Sequence, residues 1–270
     1  MKRIFTLLVL LIITTALFAQ WNPETNYEGK CSHIPKDMPR TLDYLYDWQS
    51  PLMDNYDVTF YFLDIEVSSE STFVGGNVTI HATAEAPIDT IAFELIEVME
   101  IQTILVNETE YSDYTREMDN VLVPVDLIDE GSSFTLQVFY EGDPGSGGFF
   151  SGLSNAFSEQ YQTSVVWTLS EPFAAKEWFP VKQDLEDKAD SCWVFLTTDA
   201  GNMAGSQGLL TAVVEVGNDT VRYEWKSRYP IDYYLLSFAV ADYQEYNIYA
   251  HPEGLEGDSI LVVAVWNTRP

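Results

Sequence analysis

The sequence has little of what metal and nucleophile chemistry needs. Its 270 residues include only 2 Cys and 3 His. His33, His81 and His251 stand too far apart to suggest a set of metal ligands. There is no H-E-x-x-H, so the helical zinc site of that motif is excluded. There is no G-x-S-x-G elbow for a nucleophilic serine, and neither Cys has the sequence surroundings of a thiol nucleophile. The glycine-rich stretch Gly145 to Gly148 lacks the Lys-Ser/Thr of a phosphate cradle. Basic residues are also scarce, with 13 Lys and Arg against 42 Asp and Glu, a formal net charge of -29 and a pI near 4.1. Such a surface repels phosphate backbones and anionic membranes, so no nucleic-acid partner is expected. No window sustains an amphipathic helix, and the best candidate is a single turn near Pro172 to Glu177. Beyond residue 19 no apolar run approaches the roughly 20 residues that span a bilayer.

What is present reads as an exported β protein. Met1-Lys2-Arg3 followed by an apolar run from Ile4 to Ala19 has the layout of a secretory signal peptide, cleaved after Ala19. No Cys follows the run, so no lipid anchor is expected, and the destination is periplasmic, cell-surface or secreted. Residues 20-54 are rich in Pro, Asn, Asp and Tyr and read as an irregular N-terminal segment. Residues 55-270 read as one β-rich domain. Val58, Phe60 and Phe62 alternate with polar neighbours, as do Val78, Ile80, Ala82 and Ala84. Further strands are expected at Ile91 to Leu95, Ile101 to Val106, Phe134 to Tyr140, Trp193 to Leu196, Val221 to Trp225, Leu235 to Val240 and Ile260 to Trp266. Short strands separated by turn residues predict an all-β fold, a large antiparallel β-sandwich or saddle-shaped sheet stack.

Some local features point in two directions. Gly75-Gly76 reads as a turn before the strand that Pro87 ends. The stretch from Gly142 to Ser154 reads as a long loop, of a kind that is often functional. Asp184, Glu186 and Asp187 read as a solvated acidic face more simply than as a calcium site. Cys31 and Cys192 would form a disulfide in an exported protein. Closing so long a loop contributes about 4–5 kcal/mol in the chain-entropy model. The other reading is two unpaired thiols, since Cys192 lies in an apolar strand.

From Tyr140 to Tyr243 a series of landmarks occurs in order. Tyr140-Glu141-Gly142 precedes Gly148-Phe149-Phe150. Then comes Thr168-Leu169-Ser170-Glu171-Pro172-Phe173-Ala174-Ala175-Lys176-Glu177-Trp178-Phe179-Pro180, and later Tyr233-Tyr234-Leu235-Leu236-Ser237-Phe238-Ala239-Val240-Ala241-Asp242-Tyr243. This series resembles the N-terminal domain of the aminopeptidase N family of zinc metallopeptidases. The departures are Leu169 for the family's Gln, Lys176 for its Arg, and Val181 to Leu185 for its Cys-Trp-Asp-Glu-Pro. The resemblance implies a non-catalytic domain packed on a C-terminal catalytic domain of the same polypeptide, expected to begin near Pro270 and to hold the zinc. It implies that Glu171 helps bind the free α-amino group of peptide substrates. An ammonium entering a partly dry cleft needs a fixed anion, and that charge-assisted bond is strong. The chain alone would then be inactive. Two other readings are a secreted β-sandwich module for glycan or protein ligands, with aromatics as a sugar platform, and the scaffold of a pseudo-peptidase.

Overall fold

The structure, a computed structural model, describes residues 49–146, 151–217, 219–251, 253 and 260–266, without the side chains of 246 and 260–266. The signal peptide, residues 20–48 and Cys31 lie outside the described residues. From Gln49 onward the chain forms one compact unit. Its fold is all-β, and its helical pieces among the described residues are three 3-10 turns, Pro51–Asn55, Ala175–Glu177 and Tyr233–Leu235. Among the described residues no helix is long and apolar enough to cross a membrane.

An eight-stranded sheet forms the frame. Its order is Leu209–Gly217, Thr220–Ser227, Ser191–Asp199, Tyr56–Val67, Val74–Ala84, Ser133–Gly142, Glu100–Val106 and Thr109–Glu110. Pairing is antiparallel throughout except between Tyr56–Val67 and Ser191–Asp199, which run parallel. A local pattern cannot reveal this, because side chains alternate identically in either direction. A four-stranded sheet (Met203–Ser206, Phe238–Ala241, Thr163–Thr168, Leu153–Ser158) and a three-stranded sheet (Ile88–Glu94, Asn120–Ile128, Thr115–Glu117) share one core with it.

The alternation read from sequence selects the buried face. Val78, Ile80, Ala82 and Ala84 point inward, as do Leu63, Ile65, Val194, Leu196, Val221, Tyr223 and Trp225. Burying one such side chain contributes about 1.5–3 kcal/mol. Three expectations change. Phe60 and Phe62 read in phase with Val58, but a bulge between Val58 and Phe60 shifts the register, so Tyr61, Leu63 and Ile65 face the core and Phe60 and Phe62 face outward. Gly75 and Gly76 lie inside the strand Val74–Ala84 and do not form a turn. Gly76 has φ +141°, and a Cβ there would sit 2.2 Å from the carbonyl oxygen of Asp64. The pair therefore permits close backbone approach within a sheet. The run Leu235 to Val240 is split: Tyr233–Leu235 make a 3-10 turn, and the strand is Phe238–Ala241.

The outer face of the large sheet is also aromatic. Phe60, Phe62, Trp193 and Phe195 meet edge to face at ring separations of 4.8–5.9 Å. Buried carboxyls add a pH dependence. Burial, the largest effect, pushes Asp64 and Asp187 above their ordinary value of 3.8 and Glu94 above 4.5. Arg222 opposes this at Asp64, Lys182 at Asp187 and Lys176 at Glu94. The folded state therefore holds more protons than the unfolded one between the ordinary and the raised values. Stability should fall as pH rises through that window, and self-repulsion of the acidic surface acts in the same direction. Calorimetry should give a Tm that falls as pH rises through the window just above the ordinary carboxylate values; a Tm that rises there would contradict this account.

Candidate functional site

The landmark residues converge. Trp178 and Phe179 are wholly buried and tilt against each other at 4.4 Å, and Trp178 meets Phe238 edge-on at 5.3 Å. The Tyr140 hydroxyl donates to the Trp178 carbonyl at 2.8 Å. Phe179 packs against Tyr61 at 6.0 Å. Most of the series is therefore core. Rings of this size carry large apolar area, which accounts for their prominence in the sequence.

Pro172 and Leu235 are exposed members of the series, and Glu171 is its exposed acid. It lies at the tip of the turn that follows strand Thr163–Thr168. Its flanks are fixed. The Leu169 N–H donates to the Gly152 carbonyl at 3.0 Å, and the Ala174 N–H to the Ser170 carbonyl at 3.0 Å. The buried Ser170 hydroxyl accepts from Trp178 Nε1 at 2.9 Å. The Tyr233 hydroxyl donates to the Pro172 carbonyl at 2.6 Å, beyond a cis Glu171-Pro172 bond. Thr168 Oγ1 accepts the Phe238 N–H at 2.9 Å, tying the preceding strand to the closing one. A solvent-facing carboxylate is thus carried between two anchored residues, the kind of preorganisation that binding a cation needs.

The end of the Gly142 to Ser154 stretch belongs to this turn. Glu177 Oε2 accepts from the Gly152 N–H at 2.7 Å and from the Ser151 hydroxyl at 3.1 Å. A Cβ on Gly152 would lie 2.0 Å from the Ala174 carbonyl oxygen. Gly152→Ala should therefore cost about 1–3 kcal/mol, the usual range for overpacking. Chemical denaturation should show it as a lowered midpoint with unchanged m, and an unchanged midpoint would mean the turn is freely displaced.

Lys176, at the family's Arg position, points inward. Its Nζ lies 3.0 Å from Glu94 and 3.1 Å from Asp119. Gln183 Nε2 donates to the same Glu94 at 3.1 Å, and Gln183 Oε1 accepts the Lys176 N–H at 3.2 Å. Lys182 is buried, with Nζ 2.6 Å from the Tyr56 carbonyl and 2.7 Å from Asp187. The acidic run is thus only partly a solvated face, because Asp187 is the buried counter-ion of Lys182 and Asp184 lies 3.7 Å from it. The sequence carried no signal for this pair, because Lys182-Gln183-Asp184-Leu185-Glu186-Asp187-Lys188 is polar almost throughout and reads as surface. Cys192 is a buried thiol that accepts from Gln207 Nε2 at 3.5 Å. Burial raises its pKa. Its expected disulfide partner, Cys31, is outside the described residues.

Among the described residues no group of three or more His, Cys, Asp or Glu could hold a metal ion. These residues therefore do not fit zinc. A cleft of about 510 Å³ lies on the large sheet near Asp64, Glu66, Glu141 and Asp199 and shares no lining residue with the Glu171 turn.

The fold is an all-β sheet stack whose turn after strand Thr163–Thr168 carries Glu171 exposed. Its likeness among solved structures is to M1 zinc metallopeptidases. The M1 zinc metallopeptidase from Deinococcus radiodurans matches with a TM-score of 0.66 and 21% identity, over 80% of this chain and 48% of that one. A point mutant of it matches at 0.69 with the same identity and coverage. A mutant two-domain M1 zinc metallopeptidase bound to L-tryptophan matches at 0.67 and 20%, over 82% of this chain and 49% of that one. The chain shares the fold of these peptidases and spans about half their length. No family model and no curated protein matches the sequence.

Proposed function

We propose that this chain is the non-catalytic N-terminal part of an exported zinc aminopeptidase. It packs on a catalytic domain of the same polypeptide, and Glu171 receives the free α-amino group of peptide substrates. The observation that carries the proposal is the exposed carboxylate of Glu171 held between Ser170 and Pro172, both anchored through the core. The M1 likeness supports the setting. In this arrangement the chain's own residues bind and orient. Glu171 offers its oxygens to an ammonium, and the Trp178–Tyr233 framework keeps them in place. Zinc, held by the catalytic domain, supplies activation of the attacking water.

A glycan-binding module is less well supported. Trp193 and Phe195 lie parallel at 6.2 Å on the outer face, but Lys226 stands over both rings at 4.4 Å and 5.3 Å and Phe60 and Phe62 meet them edge to face, so the faces a sugar would stack on are already in contact. The test is Glu171→Gln in the full-length parent. Turnover of a free-amino substrate is compared with affinity for an N-blocked competitive inhibitor, and equal losses in both would overturn the assignment.

A further inference from the structure

We propose that the cleft between Trp193, Leu209 and Tyr229 binds an apolar monocarboxylate, the chemistry shared by an N-acylated amino acid and by the C-terminal residue of a peptide. Charge is the first reason. Among the described residues Lys176, Lys182, Lys188 and Arg222 each face a carboxylate. Arg116 donates to the carbonyls of Glu97 and Met99. Lys226 and Arg228 are different, with no carboxylate at ion-pair distance among the described residues. In a chain with 42 acidic residues, two such cations are unexpected. Both line the same cleft.

The apolar lining is the second reason. Trp193, Leu209 and Tyr229 are 38%, 63% and 80% exposed, and they border this one cleft. An apolar concavity with two convergent polar groups is the usual form of a small-molecule site. Its volume of about 500 Å³ matches one or two residues. Lys226 is already oriented. It pairs with Trp193 on one side and Leu209 on the other, and its Nζ lies 4.4 Å above the Trp193 ring and 5.3 Å from that of Phe195. A cation held over rings loses less side-chain freedom when a carboxylate arrives. Among the described residues the strand Leu209–Gly217 is also one edge of the large sheet. Its open backbone groups could pair with an extended peptide leading into the cleft. The cleft shares no lining residue with the Glu171 turn, so the inference does not rest on the aminopeptidase reading.

The experiment is calorimetric titration of the chain with N-acetyl-phenylalanine and with its C-terminal amide. The acid should bind at least about tenfold more tightly, the scale of a hydrogen bond to a charged group. Lys226→Gln and Arg228→Gln should each remove most of that preference, and Lys226→Arg should keep it. An acetylated pentapeptide ending in phenylalanine separates the sources. Tighter binding than the acyl amino acid means a peptide paired on the edge strand, and equal binding means the small ligand alone. Acid and amide binding equally, no binding of the acid at about 10 mM (a free energy too small for a built site), or unchanged preference in both Gln variants would overturn the proposal.

Discussion

Glu171→Gln in the full-length parent is expected to lower kcat/KM for free-amino substrates by roughly 10- to 150-fold. The figure follows from about 1.5–3 kcal/mol for a hydrogen bond to a charged group, at 1.36 kcal/mol per factor of ten. The substitution keeps the shape of the side chain and removes its charge. Folding should be unaffected, because the carboxylate faces solvent and the turn is held by Ser170, Trp178, Pro172 and Tyr233. An inhibitor with a blocked amino group offers no ammonium, so its affinity should be unchanged. Loss of turnover with retained inhibitor affinity would locate the effect at the amino group. No loss in either measurement would make Glu171 an ordinary surface residue.

Lys182→Met should be the most damaging single change outside the apolar core. It leaves the Asp187 carboxylate and the Tyr56 carbonyl without the ammonium that now lies 2.7 Å and 2.6 Å from them. Breaking a buried pair by removing one partner costs about 3–5 kcal/mol. At about 2–4 °C per kcal/mol for a domain of this size, Tm should drop by roughly 6–20 °C. The loss should shrink at lower pH. Burial already raises the Asp187 pKa despite Lys182, and without the lysine it rises further, so mild acid neutralises the stranded charge. Lys182→Met combined with Asp187→Leu should recover part of the loss, since an apolar pair avoids the desolvation cost. The Val58 N–H that Asp187 accepts would still lack its partner. A single mutant with wild-type Tm would show that water replaces the ammonium at no cost.

Much of the fold was legible because burial on one face imposes a period of two. Val78 to Ala84 and Val221 to Trp225 carried that period and became core strands. Strands Leu209–Gly217 and Thr163–Thr168 were harder to read. The first is an edge strand with apolar residues on exposed positions, and the second mixes Ser and Thr with Val. Gly75-Gly76 misled because a glycine pair serves a turn and a close strand crossing equally well. The landmark series marked one region of the fold and could not separate its members by role. Trp178, Phe179 and Tyr233 look as distinctive in sequence as Glu171, but they are buried and only Glu171 reaches solvent.

The sequence by itself determined the all-β class, the acidity, the lack of a nucleophile motif or zinc signature, and the order of landmarks, because these depend on composition and on spacing along the chain. The tertiary structure decided everything that needs two distant segments to meet. It paired Tyr56–Val67 in parallel with Ser191–Asp199, and it turned Lys176 toward Glu94 and Lys182 toward Asp187. It also gathered Lys226, Arg228 and Trp193 around one cleft. A charged residue's role depends on which opposite charge, ring or water it faces, and chain order does not encode that until the sheets close.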